Sequence, residues 1–94
     1  METIYTKIKA AVVNSKIEGI RYEENYPRDY VCLTKTNDEI LDDETIDTIT
    51  PLVKALEIIT KAIKENATSD DDIVVKFYNN PCEERWEISI GDGR

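Results

Sequence analysis

The chain has no histidine, and in 94 residues it holds only three glycines, three prolines, two cysteines and one methionine. Each scarcity excludes something. Without histidine there is no Ser-His or Cys-His nucleophile and no imidazole general base near neutral pH. Gly19, Gly91 and Gly93 cannot form a glycine-rich phosphate loop. Cys32 and Cys82 lie far apart, outside any CxxC, and fall short of the four ligands of a structural zinc site. A disulfide between them would need an oxidising compartment. The opening "METIYTKIKAAVVNSK" is too broken by charge to read as a secretory signal. Two free, partly buried thiols are therefore expected. No apolar run approaches the roughly 18 residues of a membrane span. These absences predict a soluble, cytoplasmic protein with no cofactor and no membrane partner.

What is present is acid, and it is unevenly placed. The net charge is −8. Residues 1–35 carry +1 and residues 51–68 carry +1, whereas residues 36–50 carry −6 and residues 69–94 carry −4. Direct nucleic-acid binding is disfavoured, because it neutralises phosphates with Lys and Arg. A positively charged protein surface is the natural partner for this distribution.

Apolar spacing predicts the elements. Ile4, Ile8, Ala11 and Val12 recur at intervals of three and four and predict an amphipathic helix over about 3–14. Ile20 and Tyr22 alternate with Arg21 and Glu23. After the turn "NYPRD", Val31 and Leu33 alternate with Tyr30, Cys32 and Thr34, which predicts an antiparallel hairpin. A second helix is expected from a Thr50 cap and Pro51 at its first position, with Leu52, Leu56, Ile59 and Ile63 as its stripe. A second hairpin follows. Ile73, Val75 and Phe77 form its first strand, "NNPCEE" its turn, and Trp86, Ile88 and Ile90 its second strand.

The expectation is one α+β domain over residues 1–94, with two helices on one face of a four-stranded, mainly antiparallel sheet. The buried layer would comprise Ile20, Tyr22, Val31, Leu33, Ile73, Val75, Phe77, Trp86, Ile88 and Ile90. Arg21, Tyr30, Cys32, Val74, Lys76, Tyr78 and Glu87 would occupy the other face. The repeated helix–hairpin order raises an αββ duplication, but the residues of the two halves barely match.

Carboxylates are the only abundant chemical groups. "DDETID" lacks the alternating ligands, central glycine and terminal bidentate Glu of a calcium loop. In "SDDDI", neighbouring side chains of an extended segment point to opposite faces. No metal site is expected, and no enzyme. Residues 36–50 hold six carboxylates and no basic residue. Were the stretch helical, five like-charge pairs at i,i+3 and i,i+4 would cost about 1–2.5 kcal/mol in all. That is a poor design for stability alone. It suits a row of charges presented to a basic groove; were the stretch a loop, water and salt would relieve the repulsion and the acids would serve as a solubilising connector.

The expected function is non-catalytic: an acidic inhibitor of a basic, nucleic-acid-handling protein, its carboxylates standing where phosphates would. Phage counter-defence proteins and immunity proteins to basic nucleases have these features. Asp38, Glu39, Asp42, Asp43, Glu44 and Asp47 are the expected contact residues. Asp70, Asp71, Asp72, Glu83 and Glu84 would form a second patch. The alternative is a small assembly module that self-associates as a homodimer through Tyr30, Val74 and Tyr78, with the acids merely solvated.

Overall fold

The structure, a computed structural model, describes residues 3–36 and 45–92. In chain order the elements are α1 (Ile4–Asn14), β1 (Ile20–Asn25), β2 (Arg28–Leu33), α2 (Thr45–Asn66), β3 (Ile73–Asn80) and β4 (Arg85–Asp92). All strand pairings are antiparallel, in the order β1-β2-β4-β3. Each hairpin thus contributes its first strand to an edge and its second to the centre. Both helices lie on one face, as the apolar pattern predicts, with α2 over the central strands and α1 beside it. Among the described residues, no helix is long and apolar enough to cross a membrane.

Thr3 caps α1, its hydroxyl accepting from the Thr6 N–H. The exit from α1 takes left-handed backbone at Lys16 and Gly19. Gly19 suits a φ of +86°, which a side chain would strain. Its carbonyl then accepts from the Thr34 N–H, joining the start of β1 to the end of β2.

The core is narrower than the sequence pattern suggests. Ile4, Ile8 and Val12 of α1 and Leu52, Ala55, Ile59 and Ala62 of α2 are buried against Val31, Leu33, Ile88 and Ile90. Ile20, Tyr22, Ile73, Val75, Phe77 and Trp86 share the core face but are only partly buried. Most of them belong to the edge strands, which have a neighbour on one side alone. Phe77 and Trp86 close one end of the core with an edge-to-face contact at 5.7 Å.

The start of α2 corrects the sequence reading. A Thr50 cap with Pro51 at the first turn is expected, yet the helix begins at Thr45 and carries Pro51 inside it. There the proline has no N–H for the Asp47 carbonyl and crowds that carbonyl with its ring. Tertiary packing offsets this cost. Ile49, one turn before Leu52, packs against the core cluster, and the Pro51 ring is half-buried beside Gly19. Burying that turn outweighs local propensity.

Replacing Pro51 with Ala should therefore raise the unfolding free energy, by about 1–2 kcal/mol, once the greater freedom of the unfolded chain is counted. Urea unfolding measures it. A helix that began at Pro51 would give no change or a loss.

Candidate functional site

The helix-free face of the sheet carries an ion network that the sequence pattern did not reveal. Glu87 of β4 is 1% exposed although neither α1 nor α2 covers it. Its neighbours do the covering. Cys32 and Tyr78 stand opposite it on β2 and β3, and Arg85 precedes it on the same face. Both carboxylate oxygens are engaged: Arg85 Nε donates to Oε1 at 3.1 Å and the Tyr78 hydroxyl donates to Oε2 at 2.6 Å. Arg85 also reaches Glu23 of β1, with Nη2 to Oε1 at 2.8 Å, and Glu23 in turn pairs with Arg21 at 2.9 Å.

The electrostatics follow from these contacts. Burial works against the Arg85 charge, but its bonds to Glu23 and Glu87 outweigh that and raise its pKa. The bond from Arg85 holds the Glu23 carboxyl below its ordinary value, against a smaller opposing effect of burial. Burial and the bond to Glu87 push the Tyr78 hydroxyl up to about 12. Burial also raises the Cys32 thiol, so that the neutral form is favoured. The expectation of two partly buried thiols is corrected at both positions: Cys32 is fully buried and Cys82 is exposed. Cys32 sits in a central strand, whereas Cys82 lies in the β3–β4 turn.

The carboxylates singled out in the sequence are placed as follows. Asp38, Glu39, Asp42, Asp43 and Glu44 lie outside the described residues. Asp47 is exposed in the first turn of α2, where a negative charge favours the helix dipole. It lines a shallow cleft of about 550 Å³ with Glu18, Leu33 and Lys35. Glu83 and Glu84 are exposed in the turn between Asn80 and Arg85, at the same end of the sheet. Asp70, Asp71 and Asp72 are exposed just before Ile73, at the opposite end. The proposed second patch is therefore split. The eight residues of β3 hold its halves about 26 Å apart.

The sheet instead gathers other acids around Asp70, Asp71 and Asp72. Glu24 pairs in register with Asp29, and Asp92 pairs with Ile73. Glu24, Asp29 and Asp92 line one cleft of about 720 Å³ with Thr3, Tyr5 and Lys9 of α1. The first turn of α1 has no acidic residue of its own, so these strand carboxylates supply negative charge beside its N-terminus. Lys9 pairs with Glu24, and the Tyr22 hydroxyl donates to Asp29 at 2.6 Å. Burial raises the Tyr5 pKa, and Asp92, Asp29 and Asp71 raise it further. Burial and then the bond to Asp29 raise that of Tyr22. Glu24, Asp29 and Asp92 were missed because 68 positions separate the first from the last along the chain. Only strand register joins them.

The protein thus has two acidic poles. One combines Glu18, Asp47, Glu83 and Glu84, and the other combines Glu24, Asp29, Asp70, Asp71, Asp72 and Asp92. Among the described residues, no group of three or more acidic or cysteine side chains is placed to hold a metal ion. Comparison with known proteins gives no match: no family model, no curated protein and no solved structure is similar to the chain.

Three outcomes are expected for the network. Arg85→Met leaves Glu87 buried beside a lost partner and should cost about 3–5 kcal/mol in chemical denaturation. The double variant Arg85→Met/Glu87→Leu should be more stable than that single variant, because no uncompensated buried charge remains. The Glu23 contribution is present in full above its unfolded value of about 4.5 and is lost as pH falls through its lower folded value. Melting temperatures over the acid range should thus fall less steeply for Glu23→Gln than for the parent chain.

Proposed function

We propose that the protein is a non-catalytic acidic binding protein that occupies the basic groove of a nucleic-acid-handling protein, its carboxylates taking the place of phosphates. The observation that carries this reading is the gathering of Glu24, Asp29 and Asp92 with Asp70, Asp71 and Asp72 at one end of the sheet. Segments remote in sequence converge there on an excess of carboxylates, with Lys9 paired to Glu24. Asp70, Asp71, Asp72, Asp92 and Glu24 are exposed. The second pole lies across the length of α2, whose 22 residues span about 33 Å. Two negative patches at that separation suit an extended groove better than one small pocket. Residues 36–50 lead into the second pole and bring the remaining carboxylates in sequence: Asp38, Glu39, Asp42, Asp43 and Glu44.

A catalytic role has little support. Among the described residues the most buried carboxylate, Glu87, has both oxygens occupied by Arg85 and Tyr78. Self-association through Tyr30, Val74 and Tyr78 would have to bury a face that also carries Arg21, Glu23, Lys76 and Arg85. Charged residues are depleted from interface cores.

Capture of partners from lysate on the immobilised protein tests the reading. One or more basic, nucleic-acid-binding proteins should be retained, and both salt and added nucleic acid should release them. Replacing Asp42, Asp43 and Asp47 with Asn, or Asp70 and Asp72 with Asn, should slow association about 10-fold or more at low salt. Retention that is indifferent to salt and to both sets of substitutions would overturn the proposal.

A further inference from the structure

The face between the two poles carries the opposite charge. A hollow of about 410 Å³ on the helix-free side of the sheet is lined by Arg28, Tyr30, Lys76, Tyr78 and Ser89, two cations with no carboxylate among them. In a chain with 20 acidic and 12 basic residues this is a local reversal. Strand register builds it. Tyr30, Ser89 and Lys76 stand in line across β2, β4 and β3, and Arg28 stands one same-face position along, opposite Gly91.

Gly91 positions the arginine. A Cβ at residue 91 would lie 2.7 Å from Arg28 Nη1 and 2.8 Å from its Cγ. Both the stem and the guanidinium of Arg28 therefore lie over Gly91 of β4, whose partner on β3 is Val74. The other two cations of this face are neutralised, Arg21 by Glu23 and Arg85 by Glu23 and Glu87. Among the described residues, Arg28 and Lys76 have no ion-pair partner. Two cations lining one hollow repel one another, and a bound anion relieves that repulsion.

We propose that this hollow is a binding site for a small phosphorylated ligand, held by Arg28 and Lys76 over Ser89, with the rings of Tyr30 and Tyr78 beside it. A guanidinium offers paired N–H donors to a phosphate, and the ammonium adds a point charge. The serine hydroxyl is a further donor, and tyrosine rings offer flat faces to a ring-bearing ligand. Size selects the ligand. A long polyanion laid along the face would meet the acidic poles at both ends of the sheet, whereas a small anion stays between them. The hollow opens on the face of the sheet away from α1 and α2, and none of its lining residues is a carboxylate proposed to contact the protein partner, so the two ideas stand or fall separately.

The test is an NMR titration of the full chain at low ionic strength, with inorganic phosphate in one arm and adenosine 5′-monophosphate in the other. Saturable shifts at the amides of Arg28, Tyr30, Lys76 and Ser89 are expected at millimolar concentration. Tighter binding of the nucleotide would assign the tyrosine rings to its base, and equal binding would assign the site to the phosphate alone. Arg28→Gln and Lys76→Gln should each weaken binding about 10-fold. Gly91→Ala should do the same with every charge retained, because it displaces the arginine. Asp70→Asn/Asp72→Asn should leave phosphate binding unweakened. Absent shifts, equal shifts at Lys54 and Lys61 of α2, or affinity unchanged in folded Arg28→Gln and Gly91→Ala chains would overturn the proposal.

Discussion

The pairing of β2 with β4 is the constraint on which the rest of the structure depends. It alone joins the two hairpins into one sheet, with Val31 opposite Ile88 and Asp29 opposite Ile90. A slip of one residue would exchange the faces of an entire hairpin. Val31 and Leu33 would then leave the helices, and Glu87 would part from Cys32. Hydrophobic burial makes the observed register favourable, since each apolar side chain it hides is worth about 1.5–3 kcal/mol.

The same register sorts the charges. On the helix-covered face the alternation ends in carboxylates at one end of the sheet, with Glu24 and Asp92 following the last core-facing residues of β1 and β4 and Asp29 preceding the first of β2. They have somewhere favourable to stand, beside water and the N-terminal end of α1. On the open face, alternation sets Arg21, Arg28, Lys76 and Arg85 between the two poles. Two of these arginines are consumed by Glu23 and Glu87, which leaves a basic hollow within an acidic protein. Charge separation of this kind gives different faces of a small molecule different partners.

Much of the fold was legible in the residues. Both hairpins, the first helix, the helix-bearing face and the main core positions follow from periods of 2 and 3.6. The start of α2 was not, because Pro51 after Thr50 is a strong local signal and only the burial of Ile49 and contact with Gly19 override it. The candidate site was partly legible. Asp47, Asp70, Asp71, Asp72, Glu83 and Glu84 stand in visible acidic runs, but their division between two ends depends on which way β3 runs. Tyr30, Lys76, Tyr78 and Glu87 were assigned to the correct face without any sign that Glu87 is buried or that Arg28 crosses Gly91.

The amino-acid sequence by itself determined the α+β class, the pairing within each hairpin, the excess of acid and the absence of imidazole chemistry. These are properties of composition and of neighbours a few positions apart, where local geometry leaves little choice. Strand order, the Glu23–Arg85–Glu87–Tyr78 network, the two acidic poles and the basic hollow were decided only by the tertiary structure. Each joins residues from different hairpins or helices. Nothing short of the β2–β4 register brings those residues within the few ångströms over which hydrogen bonds and charges act.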